Sequence, residues 1–364
     1  MNQGGRVKRV FPASNTGRGF YSFFDYIAGP EIKRVYVVKG GPGTGKSTLM
    51  RRISDEAIAR GFDVEFHHCS SDPGSLDGLV IPQVGTALLD GTKPHMYDPK
   101  FPGVVDEIIN LGECLNAAGL RQHAEAIKAA SIKGSRRYQS AYRYLRAARR
   151  IYENLEEKNK GMQDWGWVNQ ESDRLCKEIL GGVPVAGRPG RQRHLFISAL
   201  TPEGPVTHVD SLLEANARTV IIEGQPGTGK STLLAKLADA AAERGYEVEV
   251  YHNPVDPVRL QHVLIPKLDV LVATRTELFP LPINGQNPVI DLDRGLDPDQ
   301  LTNLQEELAI DHRTFHLLLE TAISLLSRAR EGHRELEKYY EPNIDFAGLD
   351  RLAERLLTEI FVGS

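Results

Sequence analysis

The chain is short of sulfur, of long apolar runs and of excess charge, and each shortage removes a class of protein. There are three cysteines in 364 residues, Cys69, Cys114 and Cys176. Their odd number and irregular spacing fit neither a disulfide framework nor a cysteine-ligated zinc site, and they suit a reducing compartment. No stretch approaches the ~18 consecutive apolar residues of a membrane span. The first twenty residues, MNQGGRVKRVFPASNTGRGF, lack the apolar centre of a secretion signal. A cytoplasmic protein with no membrane partner is expected. The formal net charge of −4 predicts no bulk attraction to nucleic acid or acidic lipid.

What is present is a repeat. VYVVKGGPGTGKST at 35–48 returns as TVIIEGQPGTGKST at 219–232. The offset of 184 residues holds from Arg60-Gly61 and Arg244-Gly245, through His68 and His252, Asp72 and Asp256, to Ile81-Pro82 and Ile265-Pro266. Further on it becomes 181, so that Arg149 faces Arg330 and LCKEIL faces LLTEIF. Between the copies lies GGVPVAGRPGRQ, whose Gly and Pro content reads as a linker. The expected organisation is one domain over 1–180, a linker over 181–192 and a second domain over 193–364. Strands alternating with helices predict an α/β fold, two tandem P-loop domains with mostly parallel sheets flanked by helices. Each is expected to end in a helical tail. In the first tail Tyr138, Tyr142, Leu145, Tyr152 and Leu155 recur on one helical face, and in the second Leu318, Ala322, Leu325, Ala329 and Leu336 do so; such stripes are core-facing.

The chemistry is concentrated in the two loops. Gly40, Gly41, Pro42, Gly43, Thr44, Gly45, Lys46, Ser47 and Thr48 satisfy the phosphate-binding pattern. So do Gly224, Gln225, Pro226, Gly227, Thr228, Gly229, Lys230, Ser231 and Thr232. Glycines let successive N–H groups turn inward to cradle an anion, at the positive end of the following helix. Lys46 and Lys230 are expected on the β- and γ-phosphates of ATP, with the Ser47 and Ser231 hydroxyls as Mg²⁺ ligands. Mg²⁺ also calls for an acid at the tip of a neighbouring strand, and TALLDGT supplies Asp90. The second copy has Thr274 there, with Asp291 and Asp293 as substitutes, so the first site is expected to be the more active.

Asp72 and Asp256 each precede a proline, four residues after His68 and His252. The aspartates fit a catalytic position near the γ-phosphate and a turn start equally well. For the histidines a strand-end role is favoured. The irregular stretch from Asp90 to Glu107, with His95, Tyr97, Asp98 and Asp106, is a candidate acceptor or effector loop. From Lys128 to Arg150 eight basic residues occur without an acid. A solvated surface, a lid with an arginine finger and a nucleic-acid patch all fit such a run. Arg149 takes priority as a catalytic arginine because its counterpart, Arg330, is also arginine.

With its two GxPGTGKST loops and the segment DGTKPHMYDPKFPGVVDEIINLG, nearly the whole chain resembles a family of tandem P-loop ATPases of spore-forming and related bacteria. The resemblance implies ATP binding. The form of the loop is also similar to those of RecA-like and AAA-type ATPases. A Mg²⁺-dependent ATPase is the leading expectation. A nucleotide or small-molecule kinase with a basic lid and an ATP-sensing scaffold are the alternatives. A nucleoside triphosphate is the expected partner, and the sequence leaves a phosphate acceptor or a protein partner unnamed.

Overall fold

The structure, a computed structural model, describes residues 5–93, 97–213, 218–281 and 287–362. In the first repeat β1 (Val7–Val10), β2 (Ala13–Thr16) and β3 (Gly19–Ser22) lead into β4 (Arg34–Lys39), the P-loop and α1 (Lys46–Ala59). There follow β5 (Val64–His68), β6 (Leu76–Ile81), β7 (Thr86–Asp90), β8 (Asp106–Asn110), α2 (Ala117–Gln122), α3 (Ala124–Met162) and α4 (Trp165–Leu180). The second repeat opens with β9 (Gln192–Leu195), β10 (Ser198–Thr201), β11 (Gly204–Thr207) and α5 (Asp210–Leu213). It continues with β12 (Arg218–Glu223), α6 (Lys230–Glu243), β13 (Val248–His252), β14 (Leu260–Ile265), β15 (Val270–Thr274) and β16 (Val289–Asp291). It closes with α7 (Pro298–Tyr340) and α8 (Phe346–Phe361).

The two large sheets share one strand order, β1-β5-β6-β7-β4-β8 and β9-β13-β14-β15-β12-β16. In each, all pairings are parallel except those of β6 or β14, which run antiparallel to both neighbours. The short turn after His68 leaves no room for a crossover helix, so the next strand must double back. Each P-loop strand, β4 or β12, is flanked by parallel partners, and its loop emerges at the carboxyl edge of the sheet, where such sheets bind ligands. α1 begins beyond Gly45, a left-handed position at φ 86°, and buries Leu49, Met50, Ile53 and Ala57 at helical spacing. It ends before Gly61, again left-handed at φ 84°.

The compact units do not follow the repeats. Unit 1 comprises residues 1–14, 22–140 and 324–364, and unit 2 comprises 15–21 and 141–323. The sequential division at 1–180, 181–192 and 193–364 does not coincide with these units: the later part of each helical tail, 141–180 and 324–361, belongs to the unit of the other repeat's P-loop. In unit 1, Ala353, Leu356 and Ile360 of α8 share one core with Tyr36, Met50, Ile53 and Leu88. In unit 2, Val168 and Leu175 of α4 share one core with Val220, Leu234, Leu237 and Val272. The reason is energetic. Each P-loop helix needs a cover for its outer apolar side, and each buried Leu or Ile contributes ~1.5–3 kcal/mol wherever along the chain its cover originates. The predicted tail stripes are core-facing, with Leu145, Leu155, Ala322, Ala329 and Leu336 buried.

Candidate functional site

The first P-loop carries an arrangement of charge that the second lacks. Lys46 donates to the Gly41 carbonyl at 2.9 Å and lies 3.7 Å from Oδ2 of Asp90, at the end of β7. The Ser47 hydroxyl accepts from the backbone N–H of Leu76 at 3.1 Å, which sets it beside the start of β6. The next residue, Asp77, is buried, and the β6–β7 register that pairs Gly78 with Leu89 puts it across from Asp90. Burial raises the pKa of Asp90, against the pull of Lys46. Burial, then the neighbouring Asp90 charge, raises that of Asp77 well above the usual carboxylate range.

Two buried carboxyl groups and a serine hydroxyl near one lysine form a hard-oxygen donor set that a divalent cation would draw into its charged form. Those are the properties that suit Mg²⁺. Residues of the P-loop and its helix would hold the triphosphate. Of the acids, Asp90 was legible from the sequence and Asp77 was not. The strand β6 that carries Asp77 follows an irregular turn, and its own apolar run concealed the acid.

At the second P-loop the residues facing these positions are Gln261 and Thr274, both buried and neutral. Ser231 keeps its hydrogen bond, accepting from Leu260 N–H at 2.9 Å. Of the two substitute acids, Asp291 caps the turn that follows β16. Asp293 reaches the loop itself, accepting from the Gln225 N–H at 2.6 Å. The loop is held further by the end of α3 and the residue that follows it. Asn159 donates to the Pro226 carbonyl at 2.8 Å, and Gln163 donates to the Thr228 and Leu292 carbonyls at 2.8 and 3.0 Å. The backbone of Glu156 stands so close to Gly227, itself at φ 88°, that a Cβ there would meet the Glu156 carbonyl oxygen at 2.2 Å. Desolvation among these groups lowers the Lys230 pKa to about 8, although Asp293 and Glu156 oppose the shift. A cavity of about 570 Å³ adjoins this loop, with Lys230, Gln225, Asp293, Tyr152 and Phe315 on its walls.

The first loop meets the corresponding residues of the second repeat's tail. Gly41 packs on Tyr340, Gly43 on Glu337 and Gly45 on Leu349. In the second loop the matching contacts are Asn159, Glu156 and Val168. The exchange of tails therefore has the same register in both units.

The same exchange places Arg149, the candidate catalytic arginine, in the unit of the second loop. Arg149 pairs with Asp256 at 3.3 Å and with Glu153, all within the unit of the second loop. The arginine in the unit of the first loop is Arg330, 3.2 Å from Asp72. Asp256 also accepts from Arg18 at 2.9 Å. Asp72 accepts from the Ser75 hydroxyl at 2.7 Å, so it shapes the turn as well as facing the arginine. Arg143, Arg146 and Arg150 are exposed, and Arg150 pairs with Glu153.

The histidines hold turns. His68 Nδ1 lies 3.1 Å from the Pro73 carbonyl and His252 Nδ1 2.6 Å from that of Pro257. His252 also meets His194 at 2.9 Å, and burial lowers its pKa to about 4. The candidate acceptor loop is folded on its own acid. Asp106 accepts from the Tyr97 hydroxyl and from the N–H groups of Lys100 and Phe101, so both residues tie the loop down. His95 lies outside the described residues.

Residues 204–253, from β11 to just past β13 and including the second P-loop, match the family described as AAA domain. No curated protein and no solved structure matches the chain. Fold, loop geometry and this match together define, at a coarse level, a P-loop nucleotide-binding protein of the NTPase type. Among the described residues no helix is long and apolar enough to cross a membrane.

Proposed function

We propose that the chain is a Mg²⁺-dependent ATPase in which the Lys46 site turns ATP over and the Lys230 site holds nucleotide with little hydrolysis. The observation that carries this reading is the pair Asp77 and Asp90 beside Lys46 and Ser47, against Gln261 and Thr274 beside Ser231. Lys46 would exchange the Gly40 and Gly41 carbonyls for β- and γ-phosphate oxygens, and the loop N–H groups would bind the remaining charge. Asp90 and the Ser47 hydroxyl would hold Mg²⁺, with Asp77 behind them. The bound ion supplies neutralisation of phosphate charge during transfer. At the second loop a hydrogen-bonded cover from α3 and a resident carboxylate, Asp293, favour a fixed site over a cycling one.

Phosphate release from ATP, measured with Lys46→Ala and Lys230→Ala, tests the assignment. Turnover is expected to vanish in the first variant and to persist in the second. Retained turnover in Lys46→Ala would overturn it. Release that depends on an added nucleoside or nucleotide acceptor would point to the kinase reading instead.

A further inference from the structure

Away from the phosphate loops, unit 2 gathers three side chains of another chemistry. His312 and His316 are four residues apart on α7, which puts both imidazoles on one helix face. Glu277, in the segment after β15, reaches the same face, with Oε2 3.5 Å from Nε2 of His316. One donor atom from each of Glu277, His312 and His316 lies within 4.8 Å of the other two. Tetrahedral ligands bound at ~2.0–2.1 Å sit about 3.3 Å apart, so the glutamate–histidine edge is nearly at bonding separation. Rotamer shifts of the exposed Glu277 and the half-buried histidines can close the rest.

We propose that Glu277, His312 and His316 form a binding site for a divalent transition-metal ion of the zinc class. Two imidazoles and one carboxylate are the borderline donor set that selects such ions over Mg²⁺ or Ca²⁺, which take oxygen. Three protein ligands leave a fourth position open, the arrangement of sites that take water or an outside ligand. All three residues line the 570 Å³ cavity that also contains Lys230, so that position faces a space able to hold a small molecule. The duplication shows that the fold does not require them: the first repeat has Lys93, Ser131 and Ser135 at the matching positions. The site is thus a feature of the second repeat only, and it does not depend on which P-loop turns ATP over.

The test uses the full chain stripped with a chelator. Titration with Zn²⁺ against a chromogenic chelator is expected to give one tightly held ion per chain. Co²⁺ should give the intense visible bands of a four-coordinate site without a thiolate charge-transfer band, which excludes the three cysteines as ligands. His312→Ala and His316→Ala should each weaken Zn²⁺ by at least ~100-fold, and Glu277→Gln by at least ~10-fold. His123→Ala, in the other unit, should change nothing. Glu277 is exposed, so its variant leaves the fold intact and keeps the test decisive if a histidine variant does not fold. The proposal is overturned if the wild-type chain holds no zinc, as a plain Glu277–His316 ion pair predicts. It is equally overturned by thiolate bands in the Co²⁺ spectrum, or by affinity unchanged in Glu277→Gln and the folded histidine variants.

Discussion

Nε of Arg330 lies 3.2 Å from Oδ1 of Asp72, although the two residues belong to different repeats of the chain. The mirror pair, Arg149 and Asp256, stands at 3.3 Å. Each P-loop unit therefore receives the arginine that pairs with its post-strand aspartate from the other repeat.

Arginine substitution separates the two units. With Arg330 serving the first loop, Arg330→Gln is expected to lower kcat for ATP by up to ~10³-fold with nucleotide affinity little changed. Arg149→Gln should leave that rate nearly intact, and Arg143→Gln more so, since Arg143 is exposed. Equal losses in Arg149→Gln and Arg330→Gln would show that the arginines do not divide between the sites in this way.

The acids predict a dependence on magnesium and pH. Asp77 and Asp90 both have raised pKa values in the folded chain, so a proton competes with Mg²⁺ for them, and the apparent Mg²⁺ affinity should fall as pH falls. Asp90→Asn and Asp77→Asn should each weaken Mg²⁺ or turnover by ~10–100-fold, whereas Thr274→Val should have little effect. Mg²⁺ titrations of ATPase rate at two pH values read both effects.

Lys230 makes a proton-linked prediction. Its pKa is lowered from 10.5 to about 8, so between those values the unfolded chain binds the proton more strongly. Across that window this residue's contribution to stability rises with pH. Phosphate oxygens favour the charged amine, so nucleotide binding at the second loop above pH 8 should take up a proton. Calorimetry in buffers of different ionisation enthalpy is expected to show that uptake in wild type and to lose it in Lys230→Met.

The cover of the second loop can be weighed directly. Gln163→Leu strands the Thr228 and Leu292 carbonyls in a buried setting, at a cost of ~1–3 kcal/mol. A matching fall in the urea midpoint is expected. An unchanged midpoint would mean that water or a neighbour replaces the amide.

Exchange of the tails also bears on fragments. Residues 1–180 retain α1 but lose α8, whose Leu356 and Ile360 share a core with Met50 and Ile53. That fragment should aggregate or expose apolar surface to a hydrophobic dye. Co-expression with 181–364 should restore a soluble pair. A monomeric 1–180 fragment with a cooperative melting transition would contradict the exchange.

The two phosphate loops, the duplication, the apolar stripes of the tails and the loss of Asp90's equivalent at Thr274 are all legible in the order of residues. All of these are local: glycine positions, strand–loop–helix order and helical periodicity are written over a few consecutive residues. Which tail covers which loop, and with it that Arg330 accompanies Lys46 and Arg149 accompanies Lys230, depends on long-range packing. Two similar apolar helices offer nearly equal burial to either P-loop core, so periodicity could not choose between them. The pairing of Asp77 with Asp90 was hidden for a related reason. It depends on β6 doubling back beside β7, and a carboxylate's partner across a sheet is set by register rather than by its neighbours along the chain.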